Sequence, residues 1–244
     1  MLTYSFETGL HVIMATSHSA ELYQELPKDV RWIRLLTILP TDDPSSIVEC
    51  TLAEKLFDDE DTEYDALSYC WGDPNVRRPV KVNGYPMQVT VNLEDVLRRF
   101  RSDRHPDSMI IWADALCINQ EDKVERGHQV EFMGDIYRKA TSVHGWLGHG
   151  TALQKKGLEI VECLSRCSCQ VPFDDRCNFR REWTNAIPKP SQDTAMIHAV
   201  AAVFQTLFWT RLWIVQEVAL SRELILHCGA TRARLRSWAH LLAI

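Results

Sequence analysis

The chain has 244 residues, 45% hydrophobic and 25% charged, which are the values of a globular protein with a full apolar core. Its formal net charge of -6, from 27 Lys and Arg against 33 Asp and Glu, excludes a nucleic-acid binder held mainly by phosphate contacts, and no basic run offsets it. The most apolar stretch, Ala195 to Leu220, is broken by His198, Gln205, Arg211, Gln216 and Glu217, so no segment offers the ~20 uninterrupted apolar residues of a membrane span.

The first fifteen residues lack a basic start, and Glu7 and His11 interrupt any apolar core, so no secretory signal is expected. The eight cysteines therefore read as reduced thiols of a cytoplasmic protein. Cys163, Cys167, Cys169 and Cys177 cluster without a paired C-x-x-C, and no metal site is expected there.

Residues 1–30 have weak periodicity and read as an N-terminal arm, and 31–244 as one domain. Trp32 to Leu39 reads as a strand stopped by Pro40 and Pro44, with Ile47 to Leu52 as its hairpin partner. Tyr64 to Trp71 is a mostly apolar strand that ends at Gly72-Asp73-Pro74. Asn83-Gly84 is a strong turn pair, so Val80 to Val89 reads as a hairpin. Asn92 then reads as the N-cap of a helix with Leu93, Val96, Leu97 and Phe100 on its apolar face.

Met109 to Ala113 is a continuous apolar run, as expected of a strand buried on both faces. A polar loop follows, then a helix with Val130, Met133, Ile136, Tyr137 and Ala140 on one side. Ser142 to Leu147 is the next strand. Residues 153–165 read as helix, 166–192 as irregular, Thr194 to Phe208 and Leu212 to Leu220 as helices, and Leu224 to Gly229 as a strand. This alternation predicts an α/β fold: a mostly parallel sheet flanked by helices, with extra N-terminal strands and an inserted segment near 151–192. Ligands of such sheets bind at the carboxyl ends of the strands.

No P-loop, G-x-S-x-G elbow or H-E-x-x-H is present. Gly145 to Gly150 has the wrong glycine spacing for a dinucleotide loop and reads as a strand-ending turn. Cys117 and His128 have nothing to orient them as nucleophile and base. The polar residues that stand out are Tyr69 and Trp71 at one strand end, Asp114 at another, Asn119 in the loop after it, and Trp213 with Glu217 on one helix face. Glu217 lies among Ile214, Val215, Val218, Ala219 and Leu220, where a carboxylate is costly unless paired or used. Either it pairs with Arg211 or Arg222 at the rim of a core helix, or it works in a site. With Leu212, Val215 and Leu220 available for the apolar face, Glu217 is expected to matter for activity and not for folding.

These residues carry a family resemblance. Tyr64 to Gly72 resembles the opening motif of fungal heterokaryon incompatibility (HET) domains, and Ile111 to Gln120 resembles their central motif. The likeness continues through Glu125-Arg126, Gln129-Val130, Met133, Ile136-Tyr137, Ala140 and Trp146-Leu147-Gly148. Arg211 to Val218 resembles the final motif. The match runs over about 31–229; Ala113 stands where the family has Asp or a small residue.

That family is similar, more distantly, to Toll/interleukin-receptor (TIR) domains, and the likeness implies a flavodoxin-like core over about 64–229. Many TIR domains cleave NAD, and their Trp-x-x-x-Glu helix resembles Trp213 to Glu217. The resemblance implies Glu217 as the catalytic residue, NAD or a related nucleotide as substrate rather than cofactor, and activity in a homo-oligomer. It implies Tyr69, Trp71, Asp114, Asn119, Arg126 and Trp213 as the substrate-binding set. Tyr69, Trp71 and Trp213 serve either as stacking partners for a base or as core packing. Arg126 either meets a phosphate or pairs with Glu121 or Asp122. The family role is programmed cell death after non-self recognition, with sensor or regulatory domains often joined to the HET domain. A second class of function fits equally: a non-enzymatic death-signalling module that acts by oligomerisation or partner recruitment.

Overall fold

The continuous apolar runs of the sequence form the centre of a nine-stranded sheet. The computed structural model describes residues 19–27, 30–104, 107–168 and 190–235. Most of the expected N-terminal arm, residues 1–18, lies outside the described residues, as do 169–189 of the expected insertion.

In chain order the elements are α1 (Ser19–Leu22), β1 (Trp32–Ile38), β2 (Val48–Leu56), β3 (Asp65–Tyr69), β4 (Arg77–Val82) and β5 (Tyr85–Thr90). Then come α2 (Val91–Arg104), β6 (Met109–Trp112), α3 (Asp114–Cys117), α4 (Lys123–Glu131), α5 (Met133–Lys139), β7 (Val143–Trp146) and α6 (Ala152–Ser168). The chain continues with α7 (Pro190–Phe204), a 3-10 turn (Leu207–Thr210), α8 (Ile214–Ala219), β8 (Leu224–Cys228) and β9 (Thr231–Leu235).

The sheet order is β5-β4-β2-β1-β6-β3-β7-β8-β9. Its centre, β6-β3-β7-β8, is parallel throughout. Taken in order of appearance, those four strands run 2-1-3-4, the order of flavodoxin-like sheets. Nearly every residue in them is buried, which explains why their sequences read as apolar runs without alternation. The extra N-terminal strands flank this core: β1 joins β6 antiparallel, β2 pairs β1 antiparallel, and the β4–β5 hairpin joins β2 through a parallel pairing. β2 alternates buried and exposed residues, as a flanking strand with one wet face must.

Asn83 and Gly84 both have positive φ, at 50° and 83°, so the hairpin turn has the primed geometry that this pair favours. Asn92 is not an N-cap. α2 begins one residue earlier, and the Asn92 amide instead donates to the Cys70 carbonyl at 3.0 Å, tying α2 to the end of β3. The helix expected around 130–140 is two helices, α4 and α5, which meet at Phe132. The helix expected over 194–208 starts at Pro190 and stops at Phe204.

Successive strand residues point to opposite faces, which divides the site. Tyr69, in register with Trp146 and through it with His227, faces α2, whose Leu93 and Phe100 are buried there, with His144 two residues before Trp146 on the same face. Ser68, in register with Gly145, faces α8, which in turn packs on α5.

Candidate functional site

β3 ends where β6 and β7 flank it, so residues at its carboxyl end meet groups from both neighbours. Ser68 is the one buried polar side chain in the central run of β3, with 0% exposure. Its hydroxyl donates to Glu217 Oε2 at 2.5 Å. The other carboxylate oxygen, Oε1, accepts from Arg211 Nη2 at 2.6 Å, and Arg211 Nη1 donates to Ser68 Oγ at 3.3 Å. Glu217, Arg211 and Ser68 thus close a triangle of charge-assisted hydrogen bonds.

Glu217 is 2% exposed, and it lies on the buried face of α8 with Ile214 and Val218. The apolar face expected from Leu212 and Val215 is not buried: these residues are 77% and 66% exposed. The physical reason is the shortness of α8. Its six residues expose one full side, and Glu217 completes the inner one. Of the two partners left open by the sequence, Arg211 is the one that binds Glu217. Burial pushes the Glu217 carboxyl above its usual range, and Arg211 and Ser68 oppose this only in part. Burial is the largest influence on Arg211 and acts to lower its pKa, but the surrounding Glu217, Tyr137 and Asp114 together outweigh it and the net shift is upward.

On the other side of the strand end stands Asp114, the first residue of α3. Its Oδ2 accepts from Trp71 Nε1 at 2.9 Å, its Oδ1 from the Ala115 amide at 2.8 Å. Burial raises its pKa against these bonds and against the charge of Arg211. Tyr69 is 1% exposed; its hydroxyl lies beside Asp114 yet has no hydrogen-bond partner of good geometry among the described residues. Tyr69, Trp71 and Thr90 line a cavity of about 20 Å³, room for a single water. Glu217 is not among the residues that line it. The two clusters act on each other by charge: Asp114 raises the Glu217 pKa, and Arg211 lowers that of Asp114.

The structure therefore brings Tyr69, Trp71, Asp114 and Glu217 to one end of the sheet. Trp213 stands just before α8, 44% exposed, so it is not the core wedge that packing alone would suggest. Asn119 and Arg126 belong to a different network. The Asn119 amide donates to Glu125 Oε1 at 2.8 Å, Glu125 grips the buried Arg34 at 2.6 Å, and Arg126 Nη1 donates to the Gln120 carbonyl at 3.3 Å. These bonds shape the turn into α4 and make no contact with Glu217. Cys117 is buried and its thiol is pushed up to about 12, so it carries no nucleophile at neutral pH. Cys163 is an exposed free thiol, whereas Cys169, Cys177 and the Cys167 side chain lie outside the described residues.

Sequence reading passed over Ser68 as a partner. Its signal was a lone hydroxyl inside an otherwise apolar strand, two residues before Cys70. Tyr137, on the apolar side of its helix, also donates its hydroxyl to the Leu67 carbonyl at 3.0 Å beneath the same site.

No helix among the described residues is long and apolar enough to cross a membrane. No solved structure matches the chain significantly. Heterokaryon incompatibility protein 6, OR allele, of Neurospora crassa is 26% identical over 194 residues, covering 68% of this chain and 28% of that protein. The chain thus spans little more than a quarter of that relative's length. The family model described as heterokaryon incompatibility protein (HET) matches residues 64–217, from the residue before β3 to Glu217 itself. The chain belongs to the heterokaryon incompatibility family.

Proposed function

We propose that this HET domain cleaves the nicotinamide–ribose bond of NAD, with Glu217 as the catalytic carboxylate, and serves as a cytoplasmic cell-death effector in fungal non-self recognition. The observation that carries this reading is Glu217 itself: a buried carboxylate at the carboxyl end of β3, held by Ser68 and Arg211. Nicotinamide leaves as a neutral amine, so the reaction needs little acid catalysis. It needs charge stabilisation of an oxocarbenium-like ribose, which one carboxylate supplies. Arg211 has a second task in this scheme. A guanidinium suits a pyrophosphate as well as a carboxylate, and its move to the substrate would release Glu217 toward the ribose. Tyr69 and Trp71 line a separate cavity at the same end of the sheet, with Asp114 bonded to Trp71, and the exposed ring of Trp213 is available to stack on a base.

Glu217 is closed off in the form described, which fits an enzyme switched on by self-association or by a regulatory domain elsewhere in the full protein. The decisive measurement is NAD consumption by the purified chain, dilute and concentrated, beside Glu217→Gln. The reading requires turnover that rises with clustering and falls by on the order of 10²-fold in the variant. Absence of turnover at every concentration overturns it.

A second reading, a non-enzymatic interaction module, is favoured by one feature. Leu207, Leu212, Trp213 and Val215 are exposed together around α8, at 76%, 77%, 44% and 66%. Under that reading Leu212→Glu abolishes self-association, and NAD stays intact throughout.

A further inference from the structure

Glu217 is the only Asp or Glu from Thr194 to Arg222, in a chain that carries 33 of them. It is buried, so this stretch shows no carboxylate to solvent, while Arg222 is exposed and Arg211 partly so. The same stretch carries exposed apolar side chains: Ile197 and Phe204 two turns apart on one side of α7, Leu207 on the 3-10 turn, and Leu212, Trp213 and Val215 at α8. The Phe204 ring meets that of Trp209 at 5.1 Å, which joins the α7 part to the turn, and the turn packs on α8. Exposed apolar residues are ordinary when scattered singly; a run of six without a carboxylate marks a surface made to be covered.

The other exposed large apolar residues among the described residues, Val30, Val76, Ile110, Val124 and Leu153, stand one to a segment, so a second copy offers no matching run. A two-fold pair that joined the strip to itself would set arginines against their own copies. A bilayer surface has the opposite match. Its acyl region takes up aliphatic side chains, Trp sits well at the headgroup level, and anionic headgroups attract arginine and repel carboxylates. The nearest carboxylates on neighbouring segments are neutralised: Asp135 on α5, which packs on α8, is held by Arg31 and Arg138, and Glu223 by Arg234 at 3.6 Å.

We propose that the strip from Ile197 to Arg222 is a peripheral docking surface for a membrane with anionic headgroups, the charge of a cytoplasmic leaflet. The bilayer would meet the side of α8 that carries Leu212 and Val215, opposite the side that carries Glu217. This surface is independent of the NAD reading.

The test is co-sedimentation of the whole chain with vesicles of phosphatidylcholine alone and of equal parts phosphatidylcholine and phosphatidylserine. The chain should bind the mixed vesicles roughly tenfold more tightly, and ~0.5 M salt should remove most of that difference. Leu212→Glu and Leu207→Glu should each weaken binding by roughly tenfold or more, and Arg222→Gln by about fivefold. These positions are exposed, so melting temperatures should stay at the wild-type value. Val124→Glu places the same charge on the exposed side of α4, outside the strip, and should leave binding unchanged. The proposal is overturned if neither vesicle binds, if phosphatidylcholine alone binds equally well, if both strip glutamates bind as wild type, or if Val124→Glu weakens binding as much as they do. Self-association lost in Leu212→Glu, with no vesicle binding by the wild type, would give the face to a second copy and also overturn it. Because binding is read without turnover, failure of the NAD reading leaves these outcomes unchanged.

Discussion

Ser68 and Glu217 stand 149 positions apart in the chain, yet the Ser68 hydroxyl donates to the Glu217 carboxylate at 2.5 Å inside the protein. This bond, with the Arg211 pair, pins α8 to the carboxyl end of β3. A ligand that bonds the carboxylate competes with the two groups that hold it.

Arg211→Met leaves Glu217 buried without its counter-charge. The loss of stability should be about 2–4 kcal/mol, less than for a fully enclosed pair because Arg211 is 20% exposed. Denaturant unfolding measures it. Arg211→Met combined with Glu217→Leu should regain most of the loss, since the orphaned charge is then gone.

Glu217→Gln tests both roles of the carboxylate. The sequence alone suggests no loss of stability; the ion pair to Arg211 changes that expectation. The amide still accepts one hydrogen bond but loses the charge, so stability should drop by about 1–2 kcal/mol. NAD turnover, if present in the wild type, should drop by on the order of 10²-fold, far beyond what that change in folded fraction produces. Thermal unfolding and turnover on the same preparation separate the two effects.

Acid should weaken the fold through His227. This imidazole is 3% exposed, its Nε2 lies 2.8 Å from His144 Nδ1, and Phe100 meets both rings edge-on. Burial, aided by His144, Arg99 and Arg232, holds its pKa well below the ordinary 6.5. Above that pH neither the folded nor the unfolded chain is protonated there, and the stabilisation is fully present. Below it the unfolded chain takes up a proton that the folded one refuses, so stability falls by up to about 1.4 kcal/mol per pH unit. His227→Gln should flatten the stability profile between about pH 5 and 7. A variant profile as steep as wild type removes His227 as the cause.

Gly157→Ala should destabilise, against the usual trend. In an open helix interior this change gains about 1 kcal/mol. Here the new Cβ would lie 1.9 Å from the Ala199 carbonyl oxygen, so α6 and α7 would have to separate. Overpacking of that kind costs about 1–3 kcal/mol, which outweighs the gain in propensity. A melting temperature equal to or above wild type would show that the two helices part freely.

The strands were legible because their signals are local. Met109 to Trp112 and Val143 to Trp146 are apolar runs, Asn83-Gly84 is a turn by its own φ preferences, and Pro40 stops β1 wherever β1 packs. Helix ends were less legible. α2 takes Val91 into its first turn and turns the Asn92 amide toward the Cys70 carbonyl, a partner 22 residues away. β9 was missed, since Thr231 to Leu235 pairs with only one strand and carries two arginines.

The sequence by itself determined that Glu217 needs a reason to sit among apolar neighbours, and that Arg211 or Arg222 was near enough along the chain to supply it. Only the tertiary structure decided between them, and only it added Ser68. A charge on a short helix selects its partner by which surface that helix lies against. For α8 that surface is the face of β3 that carries Ser68, while Tyr69, the next residue, points to the opposite face. Pattern and propensity act over a few residues. The pairing of Glu217 depends on where a strand 149 residues earlier ends in space, and no local preference encodes that.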